Sequence, residues 1–64
     1  MDVGLLRTFL AIYRQGTVTG AARVVHLSQP AVSQQLKALE AQAGRPLFVR
    51  LARGLAPTPA GHEL

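Results

Sequence analysis

Hydrophobic residues recur at helical spacing from Val3 to Gln15, and this pattern predicts an amphipathic first helix. Asp2 precedes the first turn, where its charge complements the helix N-terminus. Gly16 supplies the left-handed residue that commonly ends a helix. We expect the apolar face to pack in the core, with part of it free to contact a partner subunit. Its members are Leu5, Leu6, Phe9, Leu10, Ile12 and Tyr13.

A second, shorter helix is predicted after this glycine. Thr17 and Thr19 are both candidate N-caps, and the helix then extends to about His26. The Ala21-Ala22 pair allows two helix backbones to cross closely, because its side chains are small. Gly20 costs this helix about 1 kcal/mol relative to alanine. The segment therefore predicts a short helix that packs tightly against a neighbour.

A third helix follows a tight turn and has two different faces. Ser28 is its predicted N-cap, Pro30 suits a first turn where no N–H is needed, and Gly44 ends it. The apolar stripe consists of Val32, Leu36, Leu39 and Ala43. The opposite stripe consists of Pro30, Ser33, Gln34, Lys37 and Ala41. Such a helix can bury one face and lay the other in the major groove of DNA, provided that its own subunit leaves that second face uncovered.

The rest of the chain predicts a small hairpin and the start of a fourth helix. Leu47–Arg50 is rich in strand-forming residues, Arg53–Gly54 suits a turn, and Leu55–Ala56 begins a returning strand. Thr58–Pro59 provides an N-cap and a first helical residue. No stopping signal precedes Leu64, so we expect the helix to continue in a longer protein of which this chain is the N-terminal domain.

Length and composition limit the classes of protein that fit this pattern. Sixty-four residues make one domain at most, and no cysteine is present to add disulfides or thiolate metal sites. With two histidines and three scattered acidic residues, we predict no metal site and no cofactor. The hydrophobic content of 48% is too high for a disordered tail, and no apolar run approaches the roughly 18 residues of a membrane span. We expect a soluble, cytoplasmic domain.

The charge balance is basic. Seven Lys and Arg residues against three Asp and Glu give a net charge of +4 and an isoelectric point near 11.3. The stretch 41–62 carries three arginines and no carboxylate: Arg45, Arg50 and Arg53. Such a domain suits a polyanion, because counterion release from phosphates drives association. A charge of this size also fits a domain that is merely kept soluble by it.

Several motifs occur in a fixed order along almost the whole chain. They are Leu6-Arg7-x-Phe9, Gly16-Thr17-Val18-Thr19-x-Ala21-Ala22, Leu27-Ser28-Gln29-Pro30-Ala31-Val32-Ser33, Leu36-x-x-Leu39-Glu40, Gly44-x-Pro46-Leu47-Phe48-x-Arg50 and Thr58-x-Ala60-Gly61. Together they resemble the N-terminal winged helix-turn-helix domain of LysR-type transcriptional regulators. The Ser-Gln-Pro-Ala-x-Ser block followed by Leu-Phe-x-Arg is the specific part of this resemblance.

The resemblance implies a mainly α fold, with a three-helix core, a two-stranded β-wing and the start of a fourth, linker helix. The winged domain would cover residues 1–58, with its helix-turn-helix at about 18–37, and the truncated linker helix residues 59–64. The function implied is that of a bacterial transcription factor without enzymatic activity. It would bind double-stranded DNA as a homodimer or higher oligomer on an inverted repeat. A small-molecule inducer is implied only for a C-terminal domain that this chain lacks.

Three positions depart from the usual family pattern. Val18 stands where the family often has Phe, so packing under the turn is smaller. Gly20 replaces a residue that is often polar or charged, which removes one possible phosphate contact. Ala56-Pro57 stands where the returning strand usually has larger residues, and a proline cannot donate to the ladder. We therefore expect a short wing strand within an otherwise unchanged fold.

The third helix carries the candidate contacts to bases. These residues are Gln29, Pro30, Ala31, Ser33, Gln34 and Lys37. Gln can pair with adenine, Ser can reach bases or phosphates, and Lys suits guanine or phosphate. Pro30 and Ala31 offer small apolar edges to a thymine methyl, although Pro30 also fits a role as helix punctuation alone. For an isolated helix, an ordinary solvated face would be the simpler explanation.

The remaining candidates lie on the hairpin and at the start of the second helix. Arg50 and Arg53 flank the predicted hairpin tip, where they would contact the DNA backbone or the adjacent minor groove. Solubility is the alternative for both, and Arg50 could also pair with a carboxylate. Thr17 or Thr19 could give a hydroxyl to phosphate, although helix capping is sufficient to explain either residue.

Three other functions compete with DNA binding at this point. A winged-helix fold can bind another protein through apolar surface, and the polar face of the third helix would then be dispensable. An enzyme is disfavoured because paired carboxylates, nucleophile–base spacing and a phosphate-cradling glycine loop are lacking in the sequence. A peptide lying on a membrane surface fits poorly, since the apolar faces are needed for a core.

Overall fold

The computed structural model describes residues 2–64 and contains helices and one antiparallel two-stranded sheet. The elements are α1 Val3–Gln15, α2 Val18–Val25, α3 Gln29–Ala43, β1 Phe48–Arg50, β2 Leu55–Pro57 and α4 Pro59–Glu63. Their order confirms the predicted three-helix core with a β-wing and a short fourth helix. Within residues 2–64, no helix has both the length and the apolar character needed to cross a membrane.

A side-chain oxygen caps the N-terminus of each helix by accepting a backbone N–H from the first turn. The caps are Asp2, Thr17, Ser28 and Thr58. Thr17 is the cap of α2, since its Oγ1 lies 3.0 Å from the Gly20 nitrogen, whereas Thr19 lies inside the first turn. The predicted starts of the four helices and the predicted ends of α1, α2 and α3 hold to within a residue or two, because capping depends on local sequence.

Left-handed residues end the first three helices. Gly16 and Gly44 have φ angles of 73° and 74°, as predicted for glycines at these positions. His26 ends α2 with a φ of 58°, although it carries a side chain. The sequence placed His26 at a helix C-terminus but gave no indication of this backbone conformation.

The core lies where α1, α2, α3 and the wing meet. Its most deeply buried large side chains include Ile12 from α1, Leu39 from α3 and Leu47 just before β1. Phe9 and Phe48 join α1 to the wing, with ring centroids 5.4 Å apart. Burying a side chain of this size contributes about 1.5–3 kcal/mol. The wing therefore shares the core of the helices.

The core differs from the prediction at one position and includes one polar residue that was not predicted. Ala43 of the predicted apolar stripe is exposed, because it lies in the last turn of α3 beside a groove that leaves it open. Thr8 is buried instead, and its hydroxyl donates a hydrogen bond to Oε1 of Gln35. The hydrogen bond satisfies a polar group that would otherwise be costly inside the core.

Part of the apolar face of α1, which was expected to pack mainly in the core, is open to solvent. Leu6, Leu10 and Tyr13 are 37%, 38% and 41% exposed. The face of α1 that packs in the core contains Thr8 and Ile12. Leu6, Leu10 and Tyr13 lie to one side of this face.

The wing is attached to the turn between α1 and α2. In its register Arg50 pairs with Leu55 near the tip, and Phe48 pairs with Pro57 at the other end. The Leu55 N–H donates to the Gly16 carbonyl at 2.8 Å. Pro57 ends a strand of three residues, which agrees with the short strand that its missing N–H predicted.

Candidate nucleic-acid interface

Most of the outward face of α3 is left uncovered by the other elements of residues 2–64. Val32 and Leu39 on the inward face are completely buried. Gln29, Gln34 and Lys37 on the other side are exposed. This arrangement meets the condition that the predicted DNA contacts required, because neighbouring elements leave room for another molecule along the helix.

Burial differs among the candidate residues on this face. Pro30 is exposed in the first turn, whereas Ala31 and Ser33 are only partly accessible. Ser28 Oγ accepts the N–H of Ala31 at 3.2 Å, so the cap orients the beginning of the helix. The exposed polar residues of this face therefore surround a less accessible area at Ala31 and Ser33.

An open groove of about 410 Å³ lies beside the start of α3. It separates the wing from the N-terminal turns of α2 and α3. Thr17, Thr19, Gln29 and Arg50 all line it, so the fold brings together candidates that are up to 33 positions apart in sequence. The residues that line the groove supply hydroxyl, amide and guanidinium groups. Such groups are the donors and acceptors used in contacts with the nucleic-acid backbone and bases.

The hairpin turn adds residues that the sequence did not single out. Leu51 and Ala52 line the same groove, and Leu51 is 51% exposed. A leucine and an alanine in a turn carry neither charge nor periodicity, so no sequence pattern marked them. Arg53 is exposed on this turn but does not line the groove. Arg53 is thus a solvent-exposed cation next to the groove-lining residues Ala52 and Gly54 in sequence.

The charges of the described residues 2–64 favour an anion at this surface. The groove is lined by Arg50 and by no carboxylate. Asp2 accepts the backbone N–H groups of Gly4 and Leu5, and Glu40 accepts that of Leu47 at 2.8 Å. These two carboxylates accept backbone N–H groups outside the groove. The charge on the groove lining is therefore the positive charge of Arg50.

The fold and the exposed α3 define a winged helix-turn-helix protein. The family model for bacterial regulatory helix-turn-helix proteins of the lysR family matches residues 3–62. The chain therefore belongs to the LysR family, which confirms the resemblance found in the sequence motifs.

Relatives that align with the whole chain are transcriptional regulators. The HTH-type transcriptional regulator AbaB of Streptomyces antibioticus is 56% identical over 64 residues, covering 100% of this chain and 21% of that protein. The nitrogen assimilation regulatory protein nac of Klebsiella aerogenes is 43% identical, again over 100% of this chain and 21% of that protein. The chain thus spans about a fifth of the length of these relatives.

Solved structures of similar domains include complexes with DNA. The crystal structure of the CbnR_DBD–DNA complex superposes with a TM-score of 0.92 at 40% identity, covering 98% of this chain and 72% of that chain. The BenM_DBD/benA site 1 DNA complex gives 0.91 at 35% identity, with coverages of 98% and 71%. These likenesses confirm the predicted fold class.

Proposed function

We propose that this chain is the sequence-specific DNA-binding domain of a bacterial transcriptional regulator, acting in the cytoplasm, where bacterial DNA lies. The observation that supports this most strongly is the uncovered outer face of α3 beside a cationic groove and a wing. The two DNA complexes cited above, formed by similar chains of the same fold, support it independently. The proposed role is one of binding, without catalysis.

The proposed contacts divide into two groups. On α3, the amides of Gln29 and Gln34 and the hydroxyl of Ser33 would contact base edges in the major groove, because these groups can both donate and accept. Lys37 would reach guanine or phosphate from the same face. Pro30 and Ala31 would present small apolar edges to a thymine methyl group.

The second group would hold the domain on the DNA backbone. Arg50 lines the groove beside α3, and Arg53 is exposed on the hairpin turn. Both guanidinium groups could neutralise phosphates or enter the flanking minor groove. Thr19 has its hydroxyl free of the capping role that occupies Thr17, so Thr19 is the better candidate for a phosphate contact.

We further propose the organisation of the longer protein. Residues 1–58 would form the winged domain, and residues 59–64 would begin a linker helix. Two copies would then bind two half-sites of an inverted repeat, as a homodimer or within a higher oligomer. A small-molecule inducer would bind a separate C-terminal domain. The relatives' greater length supports this organisation.

Selection of duplexes from a random DNA pool tests the proposal, using the chain alone and a covalently joined pair of chains. We expect one enriched half-site with the single chain and an inverted repeat with the pair. Affinity for the enriched duplex should fall steeply with salt, because phosphate neutralisation releases counterions. Failure to enrich any sequence would contradict sequence-specific binding.

A protein-interaction module is the alternative that the same experiment separates. Such a module would give a flat salt response with DNA, and its partner binding would survive alanine at Ser33, Gln34 and Lys37. The exposed polar face and the cationic groove favour DNA, since a protein partner held through apolar surface needs neither.

A further inference from the structure

The segment Pro46–Leu47 is held from two sides by side chains of different helices. From α3, Oε2 of Glu40 accepts the Leu47 N–H at 2.8 Å. From the start of α4, the Thr58 hydroxyl donates to the Pro46 carbonyl at 2.8 Å, and the Thr58 N–H donates to the Leu47 carbonyl at 3.0 Å. Helix α3 and the N-cap of α4 are therefore bonded to the same two residues. We call α3 the recognition helix, because its outer face is proposed to contact bases.

Close packing makes this connection stiff. The Leu47 side chain is only 1% exposed, so the segment is anchored in the core. Gly61 of α4 is buried against it, and a Cβ at that position would lie 2.2 Å from the Leu47 carbonyl oxygen. Because the backbone of α4 touches the segment directly, α4 cannot tilt toward the core without moving Leu47.

Glu40 is a partly buried residue of α3 that lies outside the outward stripe and belongs to the Leu36-x-x-Leu39-Glu40 motif. Its negative charge would oppose the approach of phosphates, so it contributes nothing to the proposed contacts with DNA by attraction. The carboxylate instead holds the Leu47 backbone by accepting its N–H. A hydrogen bond to a charged acceptor is about twice as strong as one between neutral groups. The partly buried position of Glu40 keeps this bond from being fully exposed to water.

We propose that Glu40 and Thr58 are positioning residues, which fix the angle between the recognition helix and α4 through Pro46–Leu47. This inference rests on the proposed DNA-binding function. Loss of either side-chain bond would let α3 rotate relative to the wing and α4. Contacts to base edges depend on that orientation, whereas contacts to phosphates tolerate a shift. The two residues would thus govern discrimination between sequences without contacting DNA.

Two substitutions of Glu40 separate its charge from its hydrogen bond. Glu40→Gln and Glu40→Ala remove the same negative charge, but only the glutamine keeps an oxygen that can accept the Leu47 N–H. We would measure binding of each variant to the duplex enriched by the unaltered chain and to a random-sequence duplex. Thermal unfolding followed by circular dichroism would identify a temperature at which both variants are folded, and binding would be measured at that temperature.

The expected result is a loss of discrimination that only one variant shows. Glu40→Ala should bind the enriched duplex about tenfold more weakly than Glu40→Gln, as expected if α3 then occupies the orientation needed for base contacts only about a tenth of the time. The two variants should bind the random duplex equally, because their charges are equal. Amide exchange at Leu47 should be faster in Glu40→Ala than in Glu40→Gln.

A second pair of variants tests the other side of the connection. Thr58→Ser keeps the hydroxyl, which donates to the Pro46 carbonyl and caps α4 by accepting the Gly61 N–H. Thr58→Val replaces this hydroxyl with a methyl group of similar size and so loses both bonds. We expect Thr58→Val to lose discrimination and Thr58→Ser to retain it. This pair also decides the matter if Glu40→Ala does not fold.

The outcomes distinguish this inference from the function on which it rests. If the unaltered chain enriches a duplex but the matched variants show equal ratios of specific to non-specific affinity, Glu40 and Thr58 only stabilise the fold and the inference is overturned. If the unaltered chain enriches nothing, the proposed function fails and the inference fails with it.

Discussion

The carbonyl oxygen of Gly16 accepts the backbone N–H of Leu55 at 2.8 Å, so the returning strand of the wing is bonded to the turn between α1 and α2. This contact places the hairpin beside the start of α2 and forms one wall of the cationic groove. The position of Arg50 relative to α3 therefore depends on a backbone contact across 39 residues of sequence.

Gly54 should be the most sensitive glycine of the wing. Its φ is +83°, and a Cβ there would lie 2.2 Å from the Gly16 carbonyl oxygen. Gly54→Ala should therefore cost left-handed strain of about 1–2 kcal/mol and, in addition, push the wing off the turn. Gly44→Ala is the matched control, since Gly44 has a φ of +74° but nothing within 4 Å of its Cβ position.

Urea unfolding of both alanine variants measures the difference. Gly44→Ala reports the backbone strain alone, and Gly54→Ala should lose clearly more stability than this control. Equal losses would show that the wing does not press against the turn as described.

The core should depend strongly on Leu39. Its side chain, on the inward face of α3, is completely buried. Leu39→Ala should cost about 2–5 kcal/mol, which approaches the total stability of many domains of this size. Leu51→Ala on the exposed hairpin turn is the comparison, with an expected change within about 0.5 kcal/mol. Thermal unfolding by circular dichroism would record both, and a small loss for Leu39→Ala would argue against the described packing.

The two threonines near the start of α2 should behave differently. Thr17 Oγ1 accepts the Gly20 N–H at 3.0 Å, and Thr19 is exposed within the first turn. Thr17→Ala should lose about 1 kcal/mol of stability because the cap is lost. Thr19→Ala should change stability little while weakening DNA binding through its proposed phosphate contact. Denaturant midpoints that rank the two variants in the opposite order would reassign the cap.

Substitutions on α3 should change base preference. Gln29→Ala and Gln34→Ala each remove a group proposed to pair with a base edge, and such pairs discriminate by about 1–3 kcal/mol. Each variant should therefore accept more sequences in a repeated selection, with little change in the salt slope. Unchanged preference in both variants would remove these residues from the proposed base contacts.

Substitutions on the wing should weaken binding to all sequences alike. Arg50→Ala should lower affinity uniformly and reduce the slope of log affinity against log salt by about 1, because one phosphate contact is lost. Arg23→Ala is the matched control, since Arg23 is exposed on α2 and does not line the groove. Titrations at several salt concentrations measure both slopes. If the two variants weaken binding equally, net charge rather than position accounts for the effect.

Much of the fold could be predicted because its signals are local. Ser28, Pro30 and Gly44 mark the ends of α3 by capping and by restricted backbone angles, which act over a few residues. The spacing of Val32 and Leu39 identified the inward face of that helix for the same reason. The same spacing placed Gln34 and Lys37 on the opposite face, and the structure shows that the neighbouring elements leave both residues exposed.

Tertiary structure alone decided which distant groups meet. The bond from Thr8 to Gln35 joins positions 27 apart, and that between the Tyr13 hydroxyl and Nδ1 of His62 joins positions 49 apart. No period or motif near His62 could indicate its partner. The sequence by itself determined the order of the elements, most of their caps and the inward position of Val32 and Leu39, because those depend on neighbours along the chain. The groove, the attachment of the wing and the link from Glu40 to Leu47 required the folded structure, because each depends on contacts between separate elements.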